Sequence, residues 1–429
     1  MRTRTITLAA LTLLAALVQP SSPLFGWDYH TCLGGRLQWG SSSISFRPAN
    51  LSFPVGSVRT ALEAALASWN TAPGTVFRFS TVYEDVTTIN TNDGKNSIVF
   101  SSTYGFGPNT LATTTYQHNC FNITEKDVIF NANFSWTYDV NPVVPPNLSS
   151  PFNFTLVATH ELGHGLGLDH QSSTVATMND VYPNGGTVGN SNAIQPLADD
   201  VLGDRVGYGT CCTANDVYAS AYRSINATQT DLIPAPAVVS AGQSATFQAT
   251  IGNRGTGTVN PLRVEYYLST DRFIDRNDTF LGAATFSLGS GFAGTHSATV
   301  TIPSNQPTGS YYFGWIVDPL ASIAEVDESN NAVALGTSTF VAASACGEAS
   351  CVPVQGTYIS HFTGSGCTGT ESYYLPYDGY GYSCRTWNGT GQCGTIQRTV
   401  TNRSYRYNGT CFDAWPSGNT LSEFVTIYR

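Results

Sequence analysis

The stretch that decides the fold of the first half of the chain is His160-Glu161-Leu162-Gly163-His164-Gly165-Leu166-Gly167-Leu168-Asp169-His170. Positions i and i+4 of a helix project from one face, about a turn apart. A helix here therefore offers the imidazoles of His160 and His164 to one ion. Glu161 sits one position round the helix, near the ion but free to act as a general base. Gly167 lets the chain leave the helix through a backbone conformation that side chains disfavour, and the turn returns His170 as a third ligand. Three protein ligands with one open position are the pattern of a catalytic zinc rather than a structural one. Three of the seven histidines in the chain lie in this stretch. The competing reading, a surface helix with incidental histidines, conflicts with the apolar neighbours Leu156, Val157, Leu162 and Leu166. These predict a buried helix from Asn153 to about Leu166, where unliganded imidazoles are costly.

Upstream, Val58, Leu62, Ala65, Leu66 and Trp69 recur at helical spacing and predict a second helix with one buried face. Between the two helices lie short β-rich runs, Ile98–Phe100, Leu111–Tyr116 and Val128–Phe130. Mixed helices and strands predict an α+β domain over 23–212, a twisted sheet carrying the active-site helix.

The motif resembles that of the metzincin zinc peptidases, and the chain from about 27 to 209 is similar to the matrixin-like group. Besides the zinc motif, the resemblance rests on Ser43–Phe46, Ser68-Trp69-Asn70, Asp93-Gly94-Lys95-Asn96-Ser97-Ile98-Val99-Phe100, Leu111-Ala112-Thr113-Thr114, Asp127-Val128-Ile129-Phe130-Asn131 and Leu197-Ala198-Asp199-Asp200-Val201-Leu202-Gly203. It implies a zinc metalloendopeptidase with one catalytic Zn2+ on His160, His164 and His170 and with Glu161 as base. It also implies that Met178 is the Met-turn methionine, an apolar floor beneath the histidines, and that Leu111–Tyr116 is the edge strand that receives an extended polypeptide. Two departures stand out. The usual latency cysteine between Arg and Gly is missing; Cys32, in Thr31-Cys32-Leu33-Gly34-Gly35, is expected in a disulfide rather than on the zinc. Tyr182 follows Met178 by four residues rather than two, so it does not match the tyrosine ligand of some metzincins.

After a linker at 213–224, the region 225–342 has almost no helical pattern. Its runs Ser244–Ile251, Arg263–Leu268, His296–Ile302 and Tyr311–Val317 predict an all-β immunoglobulin-like sandwich. Asn253-Arg254-Gly255, Tyr266-Tyr267-Leu268-Ser269 and Asp327-Glu328-Ser329-Asn330-Asn331 resemble CARDB domains, which implies a role in adhesion. The acidic loop of Asp271, Asp275 and Asp278 offers carboxylates to Ca2+ but makes no clear calcium motif, and a solvated turn is the preferred reading. The last region, 343–429, holds Cys346, Cys351, Cys367, Cys384, Cys393 and Cys411. It predicts a small, mostly β, disulfide-rich domain. Its Tyr373, Tyr374, Tyr377, Tyr380, Tyr382 and Trp387 are read either as the core of that domain or as a surface for polysaccharide or matrix ligands.

Composition agrees with export. Charged residues are 11% and the net charge is −10, which argues against a nucleic-acid partner. Arg2 and Arg4 precede the apolar run Ile6 to Val18, then Pro20, Ser21 and Ser22, so residues 1–22 read as a signal peptide. That run is too short for a permanent membrane span. The even count of ten cysteines suits an oxidising compartment. The expectation is a secreted, extracellular monomer. The alternative is a surface adhesion protein that keeps a weakly active zinc domain; the intact Glu161 argues against it, because a scaffold needs the histidines but not the base.

Overall fold

A computed structural model describes residues 27–342, apart from 86–88, 148, 172, 184 and 227–228. Beyond Ala342 it describes only the backbone of Glu371–Ser372, Thr386–Trp387, Thr395–Thr401 and Thr420–Thr426. The expected signal segment, the six C-terminal cysteines and the tyrosines from Tyr373 to Tyr382 lie outside the described residues. Contacts divide the chain into two units. One takes in the chain to residue 235 with 247–298 and 312–337; the other takes in 236–246, 299–311 and 338–429.

In the first unit, one sheet and three helices surround the histidine motif. The strands are β1 (Ser43–Pro48), β2 (Arg78–Thr81), β3 (Asn96–Ser101), β4 (Ala112–His118) and β5 (Asn122–Asn131). Their order is β4-β5-β3-β1-β2, parallel throughout except for the antiparallel β4 at the edge. The two residues Gln38–Trp39 add a parallel pair to the start of β5. From Glu125 to Asn131, β5 is buried at every position, as expected for an interior strand covered on both faces. The continuous run Val128-Ile129-Phe130 reflects that position.

The helices are α1 (Ser57–Asn70), α2 (Phe154–Leu166) and α3 (Ala198–Tyr208). On α1 the buried residues are Ala61, Leu62, Ala65, Leu66 and Trp69, the face expected from the spacing. Trp69 packs into a core with Phe46, Phe53, Phe130, Phe154 and Leu162. Its indole N–H donates to the Thr159 carbonyl of α2 at 2.8 Å, so the ring is buried without stranding its polar atom. Phe154 tilts against Phe130 with ring centroids 4.6 Å apart. Burial of each such side chain stabilises by about 1.5–3 kcal/mol, and together they fix α2 over the sheet.

The same unit contains most of a β-sandwich. Its strands begin with β6 (Val217–Ser220), β7 (Ser244–Asn253) and β8 (Val259–Ser269). They continue with β9 (Thr279–Leu288), β10 (Ala293–Thr301), β11 (Gly309–Val317) and β12 (Ala332–Ala334). Here β6 pairs antiparallel with residues 250–253, and β8 pairs with β9 and with residues 312–317. Phe247, Phe313 and Trp315 stack in its interior. The strand β9 was not expected from the sequence; its residues are mostly half-buried or exposed and make no apolar run. The stretch 213–224, read as a linker, instead holds β6, in which Val217, Tyr218 and Ala219 are fully buried. Both faces of β6 are covered, so it lacks the alternation that marks a half-exposed strand.

In the second unit, Val238–Ser240 pairs parallel with Thr339–Ala342, which pairs antiparallel with residues 309–311. Further on, 371–372 pairs with 386–387 and 395–401 with 420–426, both antiparallel. Among the described residues no helix is long and apolar enough to cross a membrane.

Candidate metal centre

The helix carrying the motif is set at both ends by local chemistry. Asn153 caps it: its side-chain oxygen accepts from the Leu156 amide at 2.9 Å. At the other end Gly167 takes the left-handed conformation, with φ 103°. A Cβ there would lie 2.8 Å from the Leu37 carbonyl oxygen, so glycine is needed for both its φ and its size. The chain then turns back, and the Asp169 carboxylate accepts from the His170 amide at 2.8 Å.

This geometry brings His160, His164 and His170 together, with one nitrogen from each within 4.8 Å of the others. His160 Nδ1 donates to the Thr177 carbonyl at 2.7 Å, and His164 Nδ1 donates to the Leu168 carbonyl at 2.8 Å. A carbonyl can only accept, so both protons sit on Nδ1 and both Nε2 atoms present lone pairs to the centre. The Nε2 atoms of His164 and His170 are 3.1 Å apart. A tetrahedral zinc with bonds of about 2.0–2.1 Å has nitrogen–nitrogen edges of about 3.3–3.4 Å. Burial holds His160 down to about 3, with His170 adding to the shift, and holds His164 well below the ordinary imidazole value. Neutral imidazoles are the form that binds metal. Converging lone pairs on the neutral, oriented rings of His160 and His164, with His170 Nε2 beside them, fit a cation.

Glu161 is buried beside this centre. Its Oε2 accepts from Thr114 Oγ1 of the edge strand β4 at 2.6 Å. Burial pushes its carboxyl up to about 7, against the opposing effects of the Thr114 hydrogen bond and Lys126. Lys126 lies buried under the Tyr116 ring, 4.8 Å from its centroid. Burial pulls its ammonium down to about 7, opposed by Glu161 and Asp169. His30 stacks on the other rings, 4.6 Å from Tyr116 and 5.8 Å from His164. The sequence reading had singled out neither Lys126 nor His30. Their only signal is contact across strands, which spacing along one segment does not carry.

A cleft of about 740 Å³ opens beside the histidines. Leu111 and Ala112 line one side, Val157, His160 and Glu161 the floor, and Asn179 to Tyr182 the far wall. Met178 lies just before that wall, buried against α2 in the same core as Trp69 and Leu162. A methyl group on Gly163 would land on Met178 Sδ and within 3.0 Å of Trp69 Cζ2. Gly163→Ala is therefore expected to lower the thermal unfolding midpoint. Overpacking of about 1–3 kcal/mol outweighs the gain of about 1 kcal/mol in helix propensity. A midpoint at or above that of the parent would show that Met178 yields without cost.

Two family models match separate parts of this chain. Residues 38–209 match the family model described as Matrixin, and residues 229–335 match the model described as CARDB. The chain carries a matrixin domain followed by a CARDB domain. Over 193 residues it is 31% identical to stromelysin-1 of Mus musculus, covering 43% of this chain and 35% of that protein. It is 30% identical over 180 residues to neutrophil collagenase of Homo sapiens, covering 41% and 34%. The chain thus spans about a third of the length of these curated relatives. A crystal structure of a CARDB domain from Pyrococcus furiosus aligns at 21% identity and a TM-score of 0.23, covering 31% of this chain and 99% of that one.

The matrixin family implies zinc and calcium. In the loop considered for calcium, the carboxylates of Asp271 and Asp275 accept from the amides of Phe273 and Asn277, and that of Asp278 accepts from the amide of Asp275. They thus cap their own turn. In the matrixin domain, Cys32 is joined to Cys120. The Tyr182 hydroxyl accepts from the Asn153 amide at 3.0 Å, so it helps hold the start of α2. Asp200, noted in the sequence only as part of the last helix, accepts from the amides of Thr177, Met178 and Leu197 at 2.7, 3.1 and 3.0 Å. It ties the Met178 turn to α3.

Proposed function

We propose that this protein is a secreted zinc endopeptidase that cleaves extended polypeptides outside the cell. The observation that carries this reading is the trio of converging imidazoles beside a buried carboxylate and an open cleft. Bound through His160, His164 and His170, zinc supplies a Lewis acid that activates water and polarises a carbonyl. Glu161 would be the group that holds and moves the proton, from attacking water to the leaving amine. Its carboxyl, raised by burial, is suited to both steps, because an efficient base titrates near the working pH. Thr114 holds the carboxylate oxygen in place.

Among the described residues, the strand β4 is paired with β5 on one side only. Its other edge is open to an extended peptide, which would add to the sheet through main-chain hydrogen bonds. Leu111, Val157, Val181 and Tyr182 give the cleft beside the histidines an apolar lining that suits a large apolar substrate side chain.

The test is the exported chain purified and incubated with casein. One zinc per chain is expected, with hydrolysis that 1,10-phenanthroline stops and added zinc restores. One zinc per chain without hydrolysis of casein or of a mixed peptide library would favour the binding-protein reading, and a chain that binds no zinc would overturn the proposal.

A further inference from the structure

The far wall of the cleft is Asn179–Tyr182, and the chain runs on from it through residues 185–197 to α3. This stretch does not join the main sheet. It forms only a small ribbon, Thr187–Val188 against Ala193–Ile194. Its outer side is held by the sandwich. The Gly189 amide donates to the Ala219 carbonyl at 3.0 Å, and Ser220 Oγ donates to the Thr187 carbonyl at 2.8 Å. Asn190 makes two bonds to the backbone of Ile274: Nδ2 donates to its carbonyl at 2.9 Å and Oδ1 accepts from its amide at 3.0 Å. Gln195 Nε2 donates to Asp327 at 2.7 Å, and its oxygen accepts from the buried Arg254.

An apolar core is shared in the same way. Val175, Val188, Leu197 and Ala198 of the matrixin domain pack with Tyr218, Tyr222 and Ala293. Arg205 of α3 reaches across too, donating to the carbonyls of Arg254 and Gly255 and to Ser290 Oγ. A Cβ on Gly291 would lie 2.8 Å from Leu202 Cβ, so the two surfaces are in close contact at that point. A module tethered for adhesion alone needs none of these contacts.

We propose that the sandwich is part of the substrate site: its first strand and loops hold the wall of the cleft and so set which substrate side chain the cleft accepts. The inference rests on the peptidase reading for its substrate, a polypeptide with a large apolar side chain, but not for the physical coupling. Residues such as Asn190 and Gln195 are positioning residues. They do not line the cleft, and they act through the stretch of chain that leads from it, Asn179–Tyr182 being the part that does.

The test uses the full chain with Asn190→Ala, and separately with Gln195→Ala in case either alone disturbs the sandwich. Hydrogen exchange in 185–197 is expected to speed up about tenfold as one or two buried bonds are lost, with exchange in α2 and β8 unchanged. For peptides with a large apolar side chain next to the scissile bond, KM should rise about three- to tenfold with kcat and zinc content unchanged, the mark of lost ground-state binding. Peptides with a small side chain there should be unaffected, which a general loss of stability would not achieve. Unaltered exchange in 185–197 in both variants would overturn the inference, and so would equal KM changes for both peptides. Faster exchange in a chain that hydrolyses no peptide would support the coupling and sink the peptidase reading instead.

Discussion

Glu161→Gln is expected to lower hydrolysis by about 10²–10⁴-fold, the usual contribution of a positioned acid–base group, while the protein still binds one zinc. Glutamine has nearly the same shape as glutamate, and its amide oxygen can still accept the Thr114 hydroxyl proton that Glu161 Oε2 now accepts. What it loses is the capacity to take up a proton. The proposed metal centre uses His160, His164 and His170, and the Nδ1 contacts of the first two run to the carbonyls of Thr177 and Leu168. None of these contacts involves the carboxylate, so zinc content measured by atomic emission should match the parent. The informative comparison is kcat at saturating peptide. If kcat stays within tenfold of the parent, another group is the base and the role given to Glu161 is wrong. If zinc is lost as well, the variant has disturbed α2, and the kinetic result says nothing about proton transfer.

The clustering of the three histidines could be read from sequence because its logic is local. Residues i and i+4 on one helix, a glycine with φ 103° and a short return loop place three imidazoles without reference to the rest of the chain. The helix face of α1 was legible for the same reason, since helical periodicity is a property of one segment. What was not legible depends on pairing between distant segments. Thr114 reaches Glu161 from a strand 47 residues away in sequence, and nothing in Leu111-Ala112-Thr113-Thr114 marks that hydroxyl as a partner. Lys126 looks like a solvated lysine in sequence, yet it lies in the interior strand β5 with no exposed surface. The strand β6 is a stronger case. Its residues Val217-Tyr218-Ala219-Ser220 are buried on both faces, so the two-residue alternation that betrays a surface strand is absent. Only its pairing with residues 250–253 defines it.

The same point bears on how the chain is divided. A boundary drawn from composition falls between the cysteines Cys211 and Cys212 and the first obvious sandwich strand. In the structure, the first sandwich strand lies within that gap, and Tyr218 donates no freedom to a hinge: its hydroxyl accepts from the Ala198 amide at the start of α3 at 3.3 Å. A buried tyrosine bonded to a helix terminus is a fixed contact, and it places the start of the sandwich next to the end of the matrixin domain.

Asp200→Ala is expected to cause the largest loss of stability among substitutions near the centre. The carboxylate accepts three backbone N–H groups, from Thr177, Met178 and Leu197. Its removal leaves the buried Thr177 and Met178 amides unmatched, at about 1–3 kcal/mol each, while the Leu197 amide keeps Thr177 Oγ1 at 3.2 Å. Against this, burial already pushes the Asp200 carboxyl up to about 6, so the alanine variant is relieved of part of a desolvation cost. The net loss is expected at about 2–4 kcal/mol, below the largest sum of the two. The effect should also reach the metal. The Thr177 peptide accepts from His160 Nδ1 through its carbonyl and donates to Asp200 through its amide, so loosening Asp200 frees the partner that orients His160. Outer partners of metal ligands commonly change affinity about 10–100-fold, and competition with a chromophoric chelator should show a loss of that size. Asp200→Asn should fall between, because its amide group keeps one acceptor but turns a donor toward amides that need none. A chain whose zinc affinity and unfolding midpoint survive Asp200→Ala unchanged would mean that the Met178 turn holds its shape by packing alone, with Met178 wedged against Gly163 and Trp69, and that the bonds from Asp200 are incidental to the centre.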